Sequence, residues 1–243
     1  LDSALTGTPR AQLIYRVPEV QNPTGVTMPL ERRKRLLELA NQYDVIVVED
    51  SPYREVRYEG EDVPTLKSLD TTGRVIHVGS FSKILCPGMR LGWMVAEKDV
   101  LAKLCLLKMA ADTQNSTLNM YAVDMFLEMN DIDEHIAGLR SAYKHKQDVM
   151  LDIIERTFPK SVSYTNPQGG LFTWLTLPED VNAAAVMRDR LLPEAKVAYV
   201  PGDSFFARDP LSNYCRLNYS CTAEDKIVTG MTRMGKVFTE CFG

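Results

Sequence analysis

The segment Ser80-Phe81-Ser82-Lys83-Ile84-Leu85-Cys86-Pro87-Gly88-Met89-Arg90 places an amine, two hydroxyls and a guanidinium just past the apolar run Val75-Ile76-His77-Val78-Gly79. A lysine amine held at a strand end can condense with an aldehyde to form a Schiff base. Ser80, Ser82 and Arg90 are residue types that grip a phosphate, arginine through its planar fork of donors. Aldehyde and phosphate on one molecule describe pyridoxal 5'-phosphate. The competing reading is a surface turn, with Lys83 in water and Ser80 and Ser82 capping a short helix.

Further segments fit the same chemistry. Glu49-Asp50-Ser51-Pro52-Tyr53 follows the apolar run Val45-Ile46-Val47-Val48, and open α/β sheets place their ligands at such strand ends. A carboxylate at Asp50 could pair with a pyridine nitrogen and keep it protonated, and a protonated ring is an electron sink for a carbanion at a substrate α-carbon. Tyr53 could turn its phenol to the 3-oxygen of that ring, and Asn22 could direct its amide there. The plain alternatives are a helix start capped by Asp50 or Ser51, with Pro52 in its first turn, and a turn-forming Asn22. Arg216 lies inside the apolar run Cys215-Arg216-Leu217-Asn218-Tyr219. It needs an anionic partner there, either a structural ion pair or a substrate carboxylate held bidentately.

The elements that must position these residues are written in the periodicities. Leu13–Val17, Val45–Val48, Val75–Gly79 and Leu91–Ala96 read as strands, and Pro29–Tyr43 as an amphipathic helix. The connection from the third of these strands to the fourth is too short for a helical crossover, so the fourth is expected antiparallel. Residues 98–129 read as mostly helical with a polar break at Asp112–Thr117, and a further helix runs from Asp133 to Thr157. Beyond Pro159, short strands are expected at Val162–Tyr164, Leu171–Leu175, Val197–Val200 and Cys215–Tyr219, punctuated by Gly169-Gly170 and Pro201-Gly202 and closed by a helix over Thr222–Phe238. These patterns predict an α/β fold in two domains, residues 1–129 and a smaller α+β domain over residues 130–243.

Bulk properties narrow the function classes. The 243 residues are 45% hydrophobic and 25% charged with a net charge of -4, ordinary for a globular chain. The one dense basic run, Glu31-Arg32-Arg33-Lys34-Arg35, reads as the wet face of a helix, so nothing favours nucleic acid as a partner. Cys86, Cys105, Cys215, Cys221 and Cys241 have neither a C-x-x-C nor a zinc-like spacing to His77, His135 or His145, so free thiols and no metal are expected. No apolar run approaches the roughly 18 residues needed to span a bilayer, and Leu1-Asp2-Ser3 does not open a signal peptide, so a cytoplasmic protein without a membrane partner is expected.

Taken in order, Asn22-Pro23-Thr24-Gly25, Asp50-Ser51-Pro52-Tyr53, Ser80-x-Ser82-Lys83, Pro87-Gly88-Met89-Arg90-Leu91-Gly92-Trp93, Gly169-Gly170-Leu171-Phe172 and Arg216 resemble the class I/II, fold type I, pyridoxal-phosphate-dependent aminotransferases. The flavour is closest to the branch with 2-aminoadipate, kynurenine and aromatic aminotransferases, and the resemblance runs from about Arg10 onward. It implies an incomplete, mainly parallel coenzyme-binding sheet with helices, followed by the smaller α+β domain. By this resemblance Lys83 is the Schiff-base lysine and proton shuttle, and Asp50 pairs with the pyridine nitrogen. Asn22 and Tyr53 bond the 3-oxygen, while Ser80, Ser82 and Arg90 hold the phosphate. Arg216, together with Asn22, meets the substrate. The implied reaction is ping-pong transamination between an amino acid and a 2-oxo acid in a homodimer. The family carries a substantial portion before its Asn-Pro-Thr-Gly turn, so this chain is expected to match a C-terminal part, with an exposed sheet edge or face. Competing expectations are an aminotransferase-like effector domain of a winged-helix regulator and another fold type I activity, such as a β-lyase or an acyl-CoA-condensing synthase. A nucleotide-binding domain is disfavoured because no G-x-G-x-x-G follows a strand.

Overall fold

The computed structural model describes residues 2–7 and 11–243; Leu1 and Arg10, where the sequence reading set its N-terminal landmarks, lie outside the described residues. The chain divides into two compact units, one of residues 1–19 and 27–137, the other of residues 20–26 and 138–243. The sequence reading placed one division at 129/130. In the structure 129/130 is a break between a helix that ends at Met129 and one that starts at Ile132; the compact units part at 137/138, inside the second helix, and the seven-residue segment 20–26 belongs to the C-terminal unit.

In the N-terminal unit the order is α1 (Asp2–Thr6), β1 (Leu13–Arg16), α2 (Leu30–Tyr43), β2 (Ile46–Asp50), α3 (Leu66–Leu69), β3 (Val75–Ser80), β4 (Gly92–Val95), α4 (Lys98–Ala111) and α5 (Thr117–Met129). The strands form a sheet in sequence order, β1, β2 and β3 parallel and β4 antiparallel, as the short β3–β4 connection requires. One face of this sheet, through Ile14, Val47 and Val75, packs on Leu36, Leu37, Leu39 and Ala40 of α2 and on Leu66. Helix α2 starts after Pro29, whose missing N–H costs nothing at a helix entrance, and stops at Asp44, which takes the left-handed conformation (φ 54°). The other face carries the second set of alternating side chains and leaves Leu13 52% and Tyr15 57% exposed. Trp93, Met94 and Val95 of β4 and Leu106, Leu107 and Met109 of α4 are exposed as well, so the expected open apolar surface is present.

The basic run on α2 is not wholly a wet face. Arg33 is fully buried, and its guanidinium donates to Glu19 Oε1 at 3.0 Å, to the Pro64 carbonyl at 3.0 Å and to the Met28 carbonyl at 3.0 Å. Arg54 reaches the same Glu19 carboxylate. A buried guanidinium is tolerable only with this degree of pairing, and its partners come from segments that helix periodicity cannot see.

The C-terminal unit contains most of α6 (Ile132–Thr157), then β5 (Ser163–Tyr164), β6 (Phe172–Thr176), α7 (Ala183–Val186), β7 (Val200–Pro201), β8 (Tyr214–Asn218) and α8 (Glu224–Phe242). Its antiparallel sheet has the order β5-β6-β8-β7. Ile153, Ile154, Leu175, Leu217, Met234 and Phe238 are among its buried residues, and Phe158 meets Phe238 edge-on at 5.2 Å. Gly235 permits the close pass of α8 over α6, because a β-carbon there would lie 2.5 Å from Thr157 Oγ1. The expected strand at Val197–Val200 shrinks to its last residue plus Pro201. The preceding chain is a π-helical stretch, Met187–Ala195, that ends in left-handed Lys196 (φ 57°), and the sequence reading missed it.

Between the sheet and α3 lies a buried carboxylate. Glu49 accepts the backbone N–H groups of Leu66 at 2.6 Å and Lys67 at 2.9 Å, and His77, its register partner on β3, lies 3.1 Å away through Nδ1. Burial pushes this carboxyl up, but the His77 bond and the two amides outweigh it and hold the pKa below its ordinary value of 4.5. The folded pKa is the lower one, so the carboxylate stabilises the fold above about pH 4.5 and that contribution is lost as pH falls through the folded value. Glu49→Ala leaves three groups unsatisfied and is expected to destabilise the fold by about 3 kcal/mol in urea titrations at pH 7. Glu49→Gln should flatten the acid limb of stability against pH; an unchanged limb would place the acid-sensitive group elsewhere.

Candidate active site

The end of β2 carries Asp50, whose register partner on β3 is Val78, and Ser51 N–H donates to the Val78 carbonyl at 2.9 Å. Asp50 and Ser80 therefore close two hydrogen-bonded parallel strands at the same edge. No α-helix starts at Asp50 or Ser51; the chain instead turns through buried Tyr53 into a short 3-10 helix, Arg54–Val56. The sheet's alternation sends Asp50 to the face opposite Glu49, where the Tyr15 phenol of β1 donates to Asp50 Oδ2. Burial, this bond and the Asp50 charge, with a smaller effect from Tyr53, raise the Tyr15 pKa to about 12, so the phenol stays a donor at neutral pH. Tyr15 was not singled out in the sequence. The available signal was a phenol in the strand that pairs with the one ending in Asp50.

After β3 the chain makes a single helical turn, with Leu85 and Cys86 N–H groups donating to the Phe81 carbonyl at 2.8 and 3.2 Å. Lys83 is half-buried on this turn and Ile84 is buried beside it. Ser80 Oγ accepts the Ser82 N–H at 3.1 Å, which aligns the two serines and leaves the Ser80 hydroxyl hydrogen to be donated outward. Gly79 has no room for a side chain, because a β-carbon would come within 2.1 Å of the Trp93 indole that crosses it from β4. A 3-10 turn over Pro87–Met89 then leads to Arg90, exposed and left-handed (φ 56°). Asp50, Tyr53, Ser80, Ser82, Lys83 and Arg90 thus stand on the strand ends and adjoining loops of one unit. The set offers an acid, a phenol, an amine, two aliphatic hydroxyls and a guanidinium, which fits an aldehyde that carries a phosphate and a basic ring nitrogen.

Asn22 and Arg216 meet in the C-terminal unit. Arg216 Nη1 donates to Asn22 Oδ1 at 2.8 Å, and its guanidinium carbon lies 4.0 Å from the Phe172 ring centre and 5.0 Å from that of Phe205. Stacking on aromatic faces fixes the plane of the fork. Trp174, the register partner of Arg216 on β6, is buried and stacks on Tyr214 at 5.5 Å, while the Phe172 ring lies under the guanidinium itself. The Asn22 turn is closed by Gly25 N–H to Gln21 carbonyl (2.6 Å) and docked by two glycines. A β-carbon on Gly25 (φ 73°) would lie 2.3 Å from Pro167 Cβ, and one on Gly170 (φ 85°) 2.5 Å from Val20 Cγ1. Gly169-Gly170, read from sequence as punctuation, is therefore also a docking surface for the turn.

Among the described residues no group of three or more His, Cys, Asp or Glu is arranged to hold a metal, and no helix is long and apolar enough to cross a membrane. The family model for "Aminotransferase class I and II" matches residues 1–229. An aromatic-amino-acid aminotransferase from Thermococcus litoralis is 43% identical over 95% of this chain and 55% of its own length. The crystal structure of a Pyrococcus horikoshii kynurenine aminotransferase with PMP superimposes with a TM-score of 0.91 at 40% identity, over 96% of this chain and 57% of that one. An α-aminoadipate aminotransferase from Thermus thermophilus, solved with N-(5'-phosphopyridoxyl)-L-leucine, gives 0.89 at 37% identity, over 94% of this chain and 59% of that one. Matches at 29% identity include HTH-type transcriptional regulators. The chain spans little more than half the length of these aminotransferases.

Gly170→Ala combines a positive φ with a clash and is expected to cost about 2 kcal/mol in thermal or urea unfolding. Adding Val20→Ala should recover the steric part; a double variant no more stable than Gly170→Ala alone would show that backbone strain accounts for the whole effect.

Proposed function

This chain belongs to the class I and II aminotransferase family, and from that premise we propose that the protein carrying it is a pyridoxal-5'-phosphate-dependent aminotransferase acting between an amino acid and a 2-oxo acid. The observation that supports the reading is that Asp50 ends β2 beside β3, whose end at Ser80 leads into the loop with Ser82, Lys83 and Arg90. When bound, the coenzyme supplies an electron sink for the substrate's α-carbon. Asp50, oriented by the Tyr15 phenol, pairs with the cationic ring nitrogen. Lys83 Nζ would hold the coenzyme through its aldehyde and, once released by the substrate amine, would serve as the base that carries the α-carbon proton. Ser80, Ser82 and Arg90 hold the phosphate, and Tyr53 and Asn22 the 3-oxygen. Arg216, its plane set by Phe172 and its Nη1 on Asn22, holds the substrate carboxylate with Asn22 beside it. The relatives' names make aromatic amino acids and 2-aminoadipate the first donors to assay. The reading also carries a cytoplasmic homodimer as the working form.

A second reading, the effector domain of a helix-turn-helix regulator, draws on the 29% matches. It keeps the lysine chemistry without turnover, so amino transfer to 2-oxoglutarate separates the two, and release of ammonia and pyruvate instead would mark a β-lyase. Borohydride reduction in the presence of the coenzyme should fix pyridoxyl mass on the peptide containing Lys83, and mass on another lysine refutes its assignment. Asp50→Ala should reduce transamination by at least a hundred-fold while coenzyme retention falls far less. Full activity in that variant would remove the electron-sink role from Asp50.

A further inference from the structure

The geometry points to Asn115 and Asn119 as positioning residues that lock Arg90 into its phosphate-gripping conformation. This inference rests on the coenzyme reading above and adds two residues that lie outside the loop. Arg90 has φ 56° and ψ 38°, a left-handed conformation that a β-carbon disfavours, and no glycine stands there to relax it. Its φ and ψ are set by the two peptide planes that flank its α-carbon. The carbonyl of the first plane, Met89 O, accepts from Asn119 Nδ2 at 3.1 Å. The carbonyl of the second, Arg90 O, accepts from Asn115 Nδ2 at 2.9 Å. Each plane is thus pinned by one carboxamide, and pinning both fixes the torsions between them.

The two donors are themselves held. Asn119 sits in the first turn of α5, where Met120 N–H closes the helix onto the Ser116 carbonyl at 3.1 Å. Asn115 lies one helical turn earlier in a tight connection, with Gln114 N–H on the Asp112 carbonyl at 2.6 Å and Gln114 Nε2 on Thr117 Oγ1 at 3.2 Å. Carboxamides suit the task because carbonyl oxygens need donors, which a carboxylate of the same size lacks. Among the described residues the Arg90 guanidinium makes one hydrogen bond at the long limit, Nη1 to the Pro87 carbonyl at 3.5 Å, which leaves its fork open to an anion. The polar stretch Asp112–Thr117, read from the sequence as a break between helices, here turns Asn115 toward Arg90.

The test compares pyridoxal 5'-phosphate with pyridoxal, which lacks the phosphate, by absorbance titration of the apo-protein carrying this chain. Four forms are titrated: unaltered, Arg90→Ala, Asn115→Ala/Asn119→Ala, and all three changes together. The asparagine pair is expected to lose about ten-fold in affinity for the phosphorylated ligand, the scale of two hydrogen bonds, with pyridoxal binding unchanged. In the Arg90→Ala background the same pair should cause no further loss, because its effect runs through that side chain. Equal losses for both ligands, losses that add to those of Arg90→Ala, or no loss at all would overturn the inference while leaving the coenzyme reading standing. Absence of any borohydride-fixed label on Lys83 in the unaltered protein would instead remove that reading and the inference with it. Melting temperatures of the apo forms monitor folding, and the single asparagine substitutions are read in the same way if the pair does not fold.

Discussion

Side chains alternate across a β-strand, and at Glu49-Asp50 that alternation sends two consecutive carboxylates to opposite faces of one sheet. Glu49 turns inward, where His77 and two amides of α3 satisfy it. Asp50 turns outward to the Tyr15 phenol, on the face where Leu13 and Tyr15 remain exposed. The two roles are coupled by register. A slip of one residue would bury Asp50 among groups arranged for a longer side chain and put Glu49 on the face of Tyr15. The hydrogen bonds that hold buried Glu49 therefore specify which acid faces the Tyr15 side, whatever they contribute to stability.

A second constraint governs the loop that bears Lys83. Antiparallel β4 returns directly beside β3, so the connecting residues must turn within a short span. Gly79 accommodates Trp93 across the strand, one helical turn carries Lys83, and a 3-10 turn delivers Arg90 in a left-handed conformation. The chemistry-bearing side chains are thus set by backbone geometry before any ligand contributes, the condition for positioning without a reorganisation cost. The C-terminal unit solves a similar problem differently. Two glycines with positive φ admit Pro167 and Val20 side chains against the backbone, and the docked turn brings Asn22 to Arg216.

The fold was legible in the sequence wherever a local pattern carried it. β-Branched runs marked the strands of the first sheet, the polar break at Asp112–Thr117 separated α4 from α5, and the short β3–β4 link dictated an antiparallel pair. Residue types also pointed to Asp50 and Lys83, which lie at the end of β2 and in the turn after β3. Less legible was the stretch from Ala183 to Ala195, where Pro193 sits inside a π-helical segment that obeys neither period.

What the sequence determined by itself was the menu: which residues could act as amine, acid and fork, and which strand ends and turns would carry them. What only the tertiary structure decided was partnership. Arg33 looked solvated because its partners, Glu19 and Pro64, lie in other segments. Tyr15 acquired its role from pairing with a strand about thirty residues away, and Asn115 and Asn119 acquired theirs from carbonyls of a loop that precedes them. The physical reason is that periodicity and turn chemistry are properties of neighbouring residues, whereas the satisfaction of buried donors and acceptors is a condition on the packed whole.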